Sequence, residues 1–159
     1  MAQRSQALAD RFEQATRQLA TTIERCSDAQ WKTKTTGEQW SIGVVAHHVA
    51  QSTEAVAGIV KLMATGQPLP PLTMEMIHQG NAEHAKQFAN VGKDETLALL
   101  RKTSAAAAGT VRGLSDEQLA RTAKVIGGAT MSAEQMVERV LIGHVVEHHG
   151  SIQAAVGAK

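Results

Sequence analysis

The 159-residue sequence has no tyrosine and only two phenylalanines and two tryptophans, Phe12, Phe88, Trp31 and Trp40. It is instead rich in alanine, glutamine and methionine, a composition that suits helices packed on helices and not a sheet surface. A single cysteine, Cys26, rules out an intrachain disulfide. The only prolines, Pro68, Pro70 and Pro71, cluster in one place and mark one break in the chain. Neither sign of charge dominates, with 16 Lys plus Arg against 15 Asp plus Glu, and no dense basic run is present. A surface built to neutralise phosphate backbones is therefore not expected, and nucleic acid is not an expected partner. No apolar run approaches the roughly 20 residues that span a bilayer, so no membrane partner is expected either. The N-terminal MAQRSQALADRFEQ carries charges where a secretory signal needs an apolar core, which gives an expectation of a cytoplasmic protein.

What is present is enough for one domain over residues 1–159, since a chain of this size buries roughly two-thirds of the surface it exposes when unfolded. Leu8, Phe12, Ala15, Leu19, Ile23 and Cys26 recur at helical spacing and predict a first helix from Gln3 to Arg25, ending near Ser27. Ser27-Asp28-Ala29-Gln30 has the form of a capping box opening a short turn through Trp31, followed by an irregular Thr-rich connection to Trp40. Ser41 caps a second helix to about Thr65, stopped by Gly66 and the prolines. Thr73 caps a third to about Asn90, and Asp94 caps a fourth that ends near Gly113.

Ser115-Asp116-Glu117-Gln118 repeats the earlier Ser-Asp-x-Gln pattern, so the two halves look like copies of one plan. After a loop containing Gly127-Gly128, Thr130 or, better, Ser132 with Gln135 starts a last helix to about Ala155. The expected fold class is all-α: a four-helix bundle with short extra helical turns.

Seven histidines stand at 47, 48, 78, 84, 144, 148 and 149. On a wheel of about 100° per residue, His48 lies within reach of the apolar face of the second helix and His47 nearly opposite it. Val137, Val140, Leu141, Val145 and Ile152 form the stripe of the last helix, and His144 and His148 fall inside it one turn apart. His149 lies about 100° off that stripe. Two imidazoles at i and i+4 project in parallel and can share one ion. Without partners on an aliphatic stripe, each would cost about 1 to 3 kcal/mol in unsatisfied polar atoms. Two readings stay open here: metal ligation by His144 and His148 with His48, or core histidines satisfied by hydrogen bonds. His78 and His84 are expected as surface or loop-packing residues, and Cys26 as a small buried hydrophobe.

Trp40-Ser41-Ile42-Gly43 followed by His48, together with His144 to Ile152 (HVVEHHGSI), resembles the DinB-like (DNA-damage-inducible, YfiT-related) superfamily. The first stretch looks like that family's Trp-Ser motif and first histidine, and the second like its C-terminal His-x-x-x-His motif. The resemblance implies a bundle of DinB-like topology, often a homodimer, with His48, His144 and His148 around one divalent metal ion. Ser151 stands where the family commonly has glutamine.

Three imidazoles leave a coordination position open, which suits zinc or nickel and lets the ion generate a nucleophile without a protein base. That matters because there is no tyrosine, and Glu147 lies about 100° from the stripe of His144. The resemblance further implies two kinds of activity on a small-molecule substrate. One is a transferase or isomerase activity using a low-molecular-weight thiol, preferred here because it needs no further acid or base; the other is a metal-dependent hydrolase. A metal-binding stress protein without catalysis is the alternative from another class.

Overall fold

The computed structural model describes residues 3–157. Its elements in order are α1 (Gln3–Arg25), α2 (Asp28–Trp31), α3 (Ile42–Ala64), α4 (Met74–Gln87), α5 (Lys93–Arg112), α6 (Asp116–Ala120), β1 (Thr122–Lys124), β2 (Thr130–Ser132) and α7 (Ala133–Gln135). A π-helical segment, Met136–Ile142, then leads without a break into α8 (Gly143–Gly157). Four long helical rods, α1, α3, α5 and the α7-to-α8 rod, form the bundle. α3 packs chiefly on α5, α5 on α1, and the last rod against α3 and α1. Phe12, Leu19 and Ile23 of α1, Val45 and Val49 of α3, Leu100 of α5 and Ile152 of α8 are all fully buried in the shared core. No helix is long and apolar enough to cross a membrane.

The caps are where the sequence puts them. Ser27 and Gln30, Ser115 and Gln118, and Ser132 and Gln135 each close a reciprocal box, in which the serine hydroxyl accepts from the third helical N–H and the glutamine carbonyl accepts from the serine N–H. Ser41 caps α3 through Val44 and Thr73 caps α4 through Met76. The doubled Ser-Asp-x-Gln plan is real at this level, since α1 with α2 and α5 with α6 each precede a rod that carries inward histidines.

Three local expectations change. Asp94 is not a cap: the N-cap lies two residues earlier, at Gly92, without a side-chain bond, and Asp94 sits in the first turn, where its charge suits the helix dipole. The Gly127-Gly128 loop is the tip of a two-stranded antiparallel hairpin, β1 with β2, and both glycines take positive φ (88° and 82°) that side chains disfavour. The last rod extends to Gly157 and contains the π segment, in which the Gly143 amide donates to the Glu138 carbonyl five residues back. Such widened turns are rare and concentrate at functional sites; this one ends at Ile142, two residues before His144.

Candidate metal centre

α3 delivers His48 and α8 delivers His144 and His148 to one point. The Nε2 atoms of His48 and His144 are 3.1 Å apart, those of His148 and His144 also 3.1 Å, and the three ligand atoms all lie within 4.8 Å of one another. Ligand nitrogens at the usual 2.0–2.1 Å from a tetrahedral ion stand about 3.3 Å apart, so the two 3.1 Å separations are close to what such an ion requires.

The other ring nitrogens face away from this point. His148 Nδ1 contacts Glu38 Oε2 at 2.6 Å, and His48 Nδ1 contacts Ser52 Oγ at 3.4 Å. With its Nδ1–H donated to Glu38, His148 turns a bare lone pair toward His144. His144 Nε2 carries at most one proton and so cannot satisfy both of its 3.1 Å neighbours at once. A cation between the three lone pairs satisfies all of them.

The electrostatics agree. Burial first, then the neighbouring imidazoles, push His48 down to about 3. Burial and His148 bring His144 down to about 4, against an opposing pull from Glu38. Both rings are thus held neutral at pH 7, the protonation state in which imidazole ligates a metal. Burial pushes Glu38 upward, but its bond to His148 is prominent among the interactions that outweigh this and leave its carboxyl below the usual range.

Glu38 is the residue that sequence reasoning missed. It belongs to the Thr-rich connection expected to be irregular, and that connection is in fact a tight turn. Thr35 N–H donates to the Trp40 carbonyl at 2.8 Å, Gln39 N–H to the Thr35 carbonyl at 3.1 Å, and Gln39 adopts φ 61°, an uncommon value for a side-chain residue. The turn sets the Glu38 carboxylate against His148 and the Trp40 ring edge-on to His48 at a centroid distance of 5.5 Å. Ser151 lies beside the same turn, its Oγ 3.5 Å from where a side chain at Gly37 would begin. No periodicity links Glu38 to His148 across 110 residues, so only the tertiary contact exposes it.

Below the Trp-Ser stretch, Gly43 lets the Trp31 indole lie directly on α3. A Cβ at Gly43 would come within 2.7 Å of that ring, whose Nε1–H donates to the Val91 carbonyl at 2.9 Å.

The remaining histidines divide differently from the wheels. His78 is exposed, as expected, and Cys26 is buried. His47, expected to face away from the interior, is only 3 % exposed, and His84, expected at the surface or packed on a loop, is 7 % exposed and packed on α3. The two are joined through His47 Nδ1 and His84 Nε2 at 2.8 Å, and His47 stacks on Phe88 at 4.0 Å. The wheel assumes that one face of a helix is covered. Residues 42–50 of α3 are buried all round, because α4 covers the side opposite the core. His84 in the last turn of α4 and Phe88 at its C-cap, four residues apart, were the available signal for this pair. His149 is likewise buried, bonded through Nε2 to Thr22 Oγ1 at 2.7 Å, because α8 packs on α1 as well as α3.

A cavity of about 440 Å³ opens on the histidine cluster, with His48 and His144 in its wall. α3, α4, the β1–β2 hairpin and the π segment enclose it.

Comparison with known proteins gives the same picture. No curated protein sequence matches the chain. Among solved structures, a mycothiol-dependent maleylpyruvate isomerase superposes with a TM-score of 0.75 at 17% identity, covering 99% of this chain and 61% of that one. A variant of that isomerase gives a TM-score of 0.75 at 16% identity, over 100% and 62%. This chain therefore spans about three-fifths of the isomerase's length. YfiT from Bacillus subtilis, described as a "probable metal-dependent hydrolase with an unusual four-helix bundle topology", superposes with a TM-score of 0.70 at 19% identity, over 96% of this chain and 83% of that one. At these identities the likeness is one of fold. The sequence model of the DinB superfamily matches residues 11–152, nearly the whole chain, and the protein belongs to that superfamily.

Proposed function

We propose that the protein is a metal-dependent enzyme in which His48, His144 and His148 hold one divalent ion, zinc or nickel by the chemistry of the donors, and that it activates a low-molecular-weight thiol for transfer to an electrophilic small molecule. The observation that carries this reading is the convergence of the His48, His144 and His148 imidazoles on one point beside a cavity. An ion held there supplies positive charge that lowers the pKa of a thiol or water brought against it, so that a nucleophile forms near neutral pH.

The chain's own residues supply the rest. Glu38 fixes the tautomer and orientation of His148, and Ser52 does so more weakly for His48. Trp40 and the His47–His84 pair close the flanks of His48. The walls of the cavity hold the substrate and keep bulk water away from it. In the transfer, the S–H bond breaks with its proton passing to solvent and an S–C bond forms. The displaced electron pair leaves with the departing group or enters the substrate's unsaturated system.

Thiol transfer is preferred over hydrolysis because Glu38, the carboxylate built into the site, is engaged by His148 through Oε2 while its Oε1 is buried away from solvent, so neither oxygen is placed to deprotonate water. The mycothiol dependence of the isomerase that shares this fold agrees with that preference.

Elemental analysis of the purified protein is the first test. Close to one transition-metal ion per chain is expected, falling to near none in His148→Ala; unchanged metal content in that variant would sink the assignment. Consumption of an electrophile with a panel of small thiols then tests the chemistry. Metal-dependent ester or amide hydrolysis without thiol turnover would favour the hydrolase reading, and a loaded protein inert in both assays would favour a non-catalytic role.

A further inference from the structure

The cavity beside the histidine cluster has an unusual lining. Ala55, Val56 and Ile59 of α3 form one wall, Ile77 of α4 another, and Val125 and Met136 the far side. Apart from His48 and His144, the only polar side chains on it are Ser52 and Asn81, and none of the lining residues is Asp, Glu, Lys or Arg. Its rim continues the same character. Leu72 lies on the cavity and is 37% exposed, and Met74 and Met76, at the start of α4, are 50% and 48% exposed. Three of the four large hydrophobic side chains left exposed among the described residues thus lie in the 72–76 stretch, of which Leu72 borders the cavity.

A carboxylate or phosphate drawn into such a space would lose its hydration without meeting a fixed cation along the walls, and burial of an unpaired charge is strongly disfavoured. An aliphatic or aromatic group would instead be driven in by the removal of its surface from water. The volume of about 440 Å³ lies in the range of small-molecule sites. His48, His144 and Ser52 meet at one end, with Asn81 the only other polar side chain on the lining, so a ligand can place one polar head there and an apolar body along the remaining walls.

We propose that this cavity is the substrate site and that it selects electrophiles with an uncharged, apolar body and a single polar head directed at His48 and His144, discriminating against substrates that carry a second anionic group. The orientation of the head rests on the three-histidine centre proposed above, whereas the selection for an uncharged body rests on the cavity walls alone.

Gly80 provides the test. It lies on the cavity wall in the interior of α4, and a Cβ there would meet nothing within 4 Å. Gly80 is exposed at the cavity's edge, so a larger side chain has open space to extend across the wall, and its substitution for glycine favours the helix and does not strain it. The uncharged fluorescent probe N-phenyl-1-naphthylamine is titrated into the purified protein and then displaced by octan-1-ol or by octanedioate. Saturable probe binding, displaced at least tenfold more readily by the alcohol than by the dianion, is expected. Affinity should fall at least tenfold in Gly80→Phe, with metal content unchanged, and stay within twofold in Gly80→Ala, which alters the backbone equally without filling the space.

His148→Ala separates this inference from the metal assignment, since His148 is not part of the cavity wall. Probe binding retained in that variant supports the cavity on its own, and it continues to do so if the wild-type protein proves metal-free. The proposal is overturned if the wild type shows no saturable binding, if Gly80→Phe binds the probe as well as Gly80→Ala does, or if octanedioate displaces it as readily as octan-1-ol.

Discussion

Replacing Glu38 separates the charge that supports the histidine cluster from the geometry of the cluster itself. Its Oε2 lies 2.6 Å from His148 Nδ1, and the two side chains are only 12% and 14% exposed, so the bond is shielded from water. A carboxylate in this position holds the imidazole so that Nε2 presents its lone pair. Loss of such a partner costs about 10- to 100-fold in metal affinity. At about 1.4 kcal/mol per factor of ten, that is about 1.4 to 2.8 kcal/mol.

Glu38→Gln can still accept the Nδ1–H bond through its amide oxygen but carries no charge, and belongs near the lower figure. Glu38→Ala removes both and belongs near the upper. The assay is competition for zinc between the protein and a chromophoric chelator at fixed pH, with the thermal midpoint of each metal-free variant as the check on folding. Zinc affinities of both variants within twofold of wild type, in folded protein, would refute the argument that the 35–40 turn exists to position His148.

Further outcomes follow from the same geometry. His84→Ala leaves His47 Nδ1 without its 2.8 Å partner, and should cost about 1 to 3 kcal/mol in a urea titration while metal content stays unchanged; loss of metal would show that this pair belongs to the centre itself. Gly43→Ala forces a methyl group to within 2.7 Å of the Trp31 ring. Overpacking of this kind costs about 1 to 3 kcal/mol, a fall in Tm of roughly 2 to 12 °C for a chain of this length; calorimetry showing no change would mean that the indole gives way freely.

In chelator-treated protein, His48, His84 and His144 have folded-state values of about 3, 4 and 4 against an ordinary 6.5. The unfolded chain then binds more protons than the folded one as the pH drops below 6.5, so the stability these groups contribute is fully present above 6.5 and is lost progressively toward pH 4. The urea midpoint should therefore decline between pH 7 and pH 5, a window in which ordinary carboxylates remain ionised, and a flat profile there would contradict neutral burial of these rings.

The sequence alone determined whatever depends on short-range chemistry. The capping boxes at Ser27, Ser115 and Ser132, the stop at Gly66, and the helical spacing that brings His144 and His148 to one side are all local, because caps, φ preferences and a 3.6-residue period act over a few residues. Those features were legible, and they supplied two of the three converging imidazoles directly and His48 by its place on the α3 wheel.

Only the tertiary structure decided which of the remaining faces are covered. His47 and His84 are interior because α4 folds across α3, and His149 is interior because α8 also meets α1. A single-helix wheel cannot register a second neighbour. The π segment before His144 resets a register that a uniform α-helical period assumes. Glu38 reaches His148, and the apolar cavity forms from α3, α4, the hairpin and the last rod, through contacts between residues far apart in the chain. Local chemistry chose the imidazoles, and long-range packing gave them their carboxylate support and their adjoining cavity.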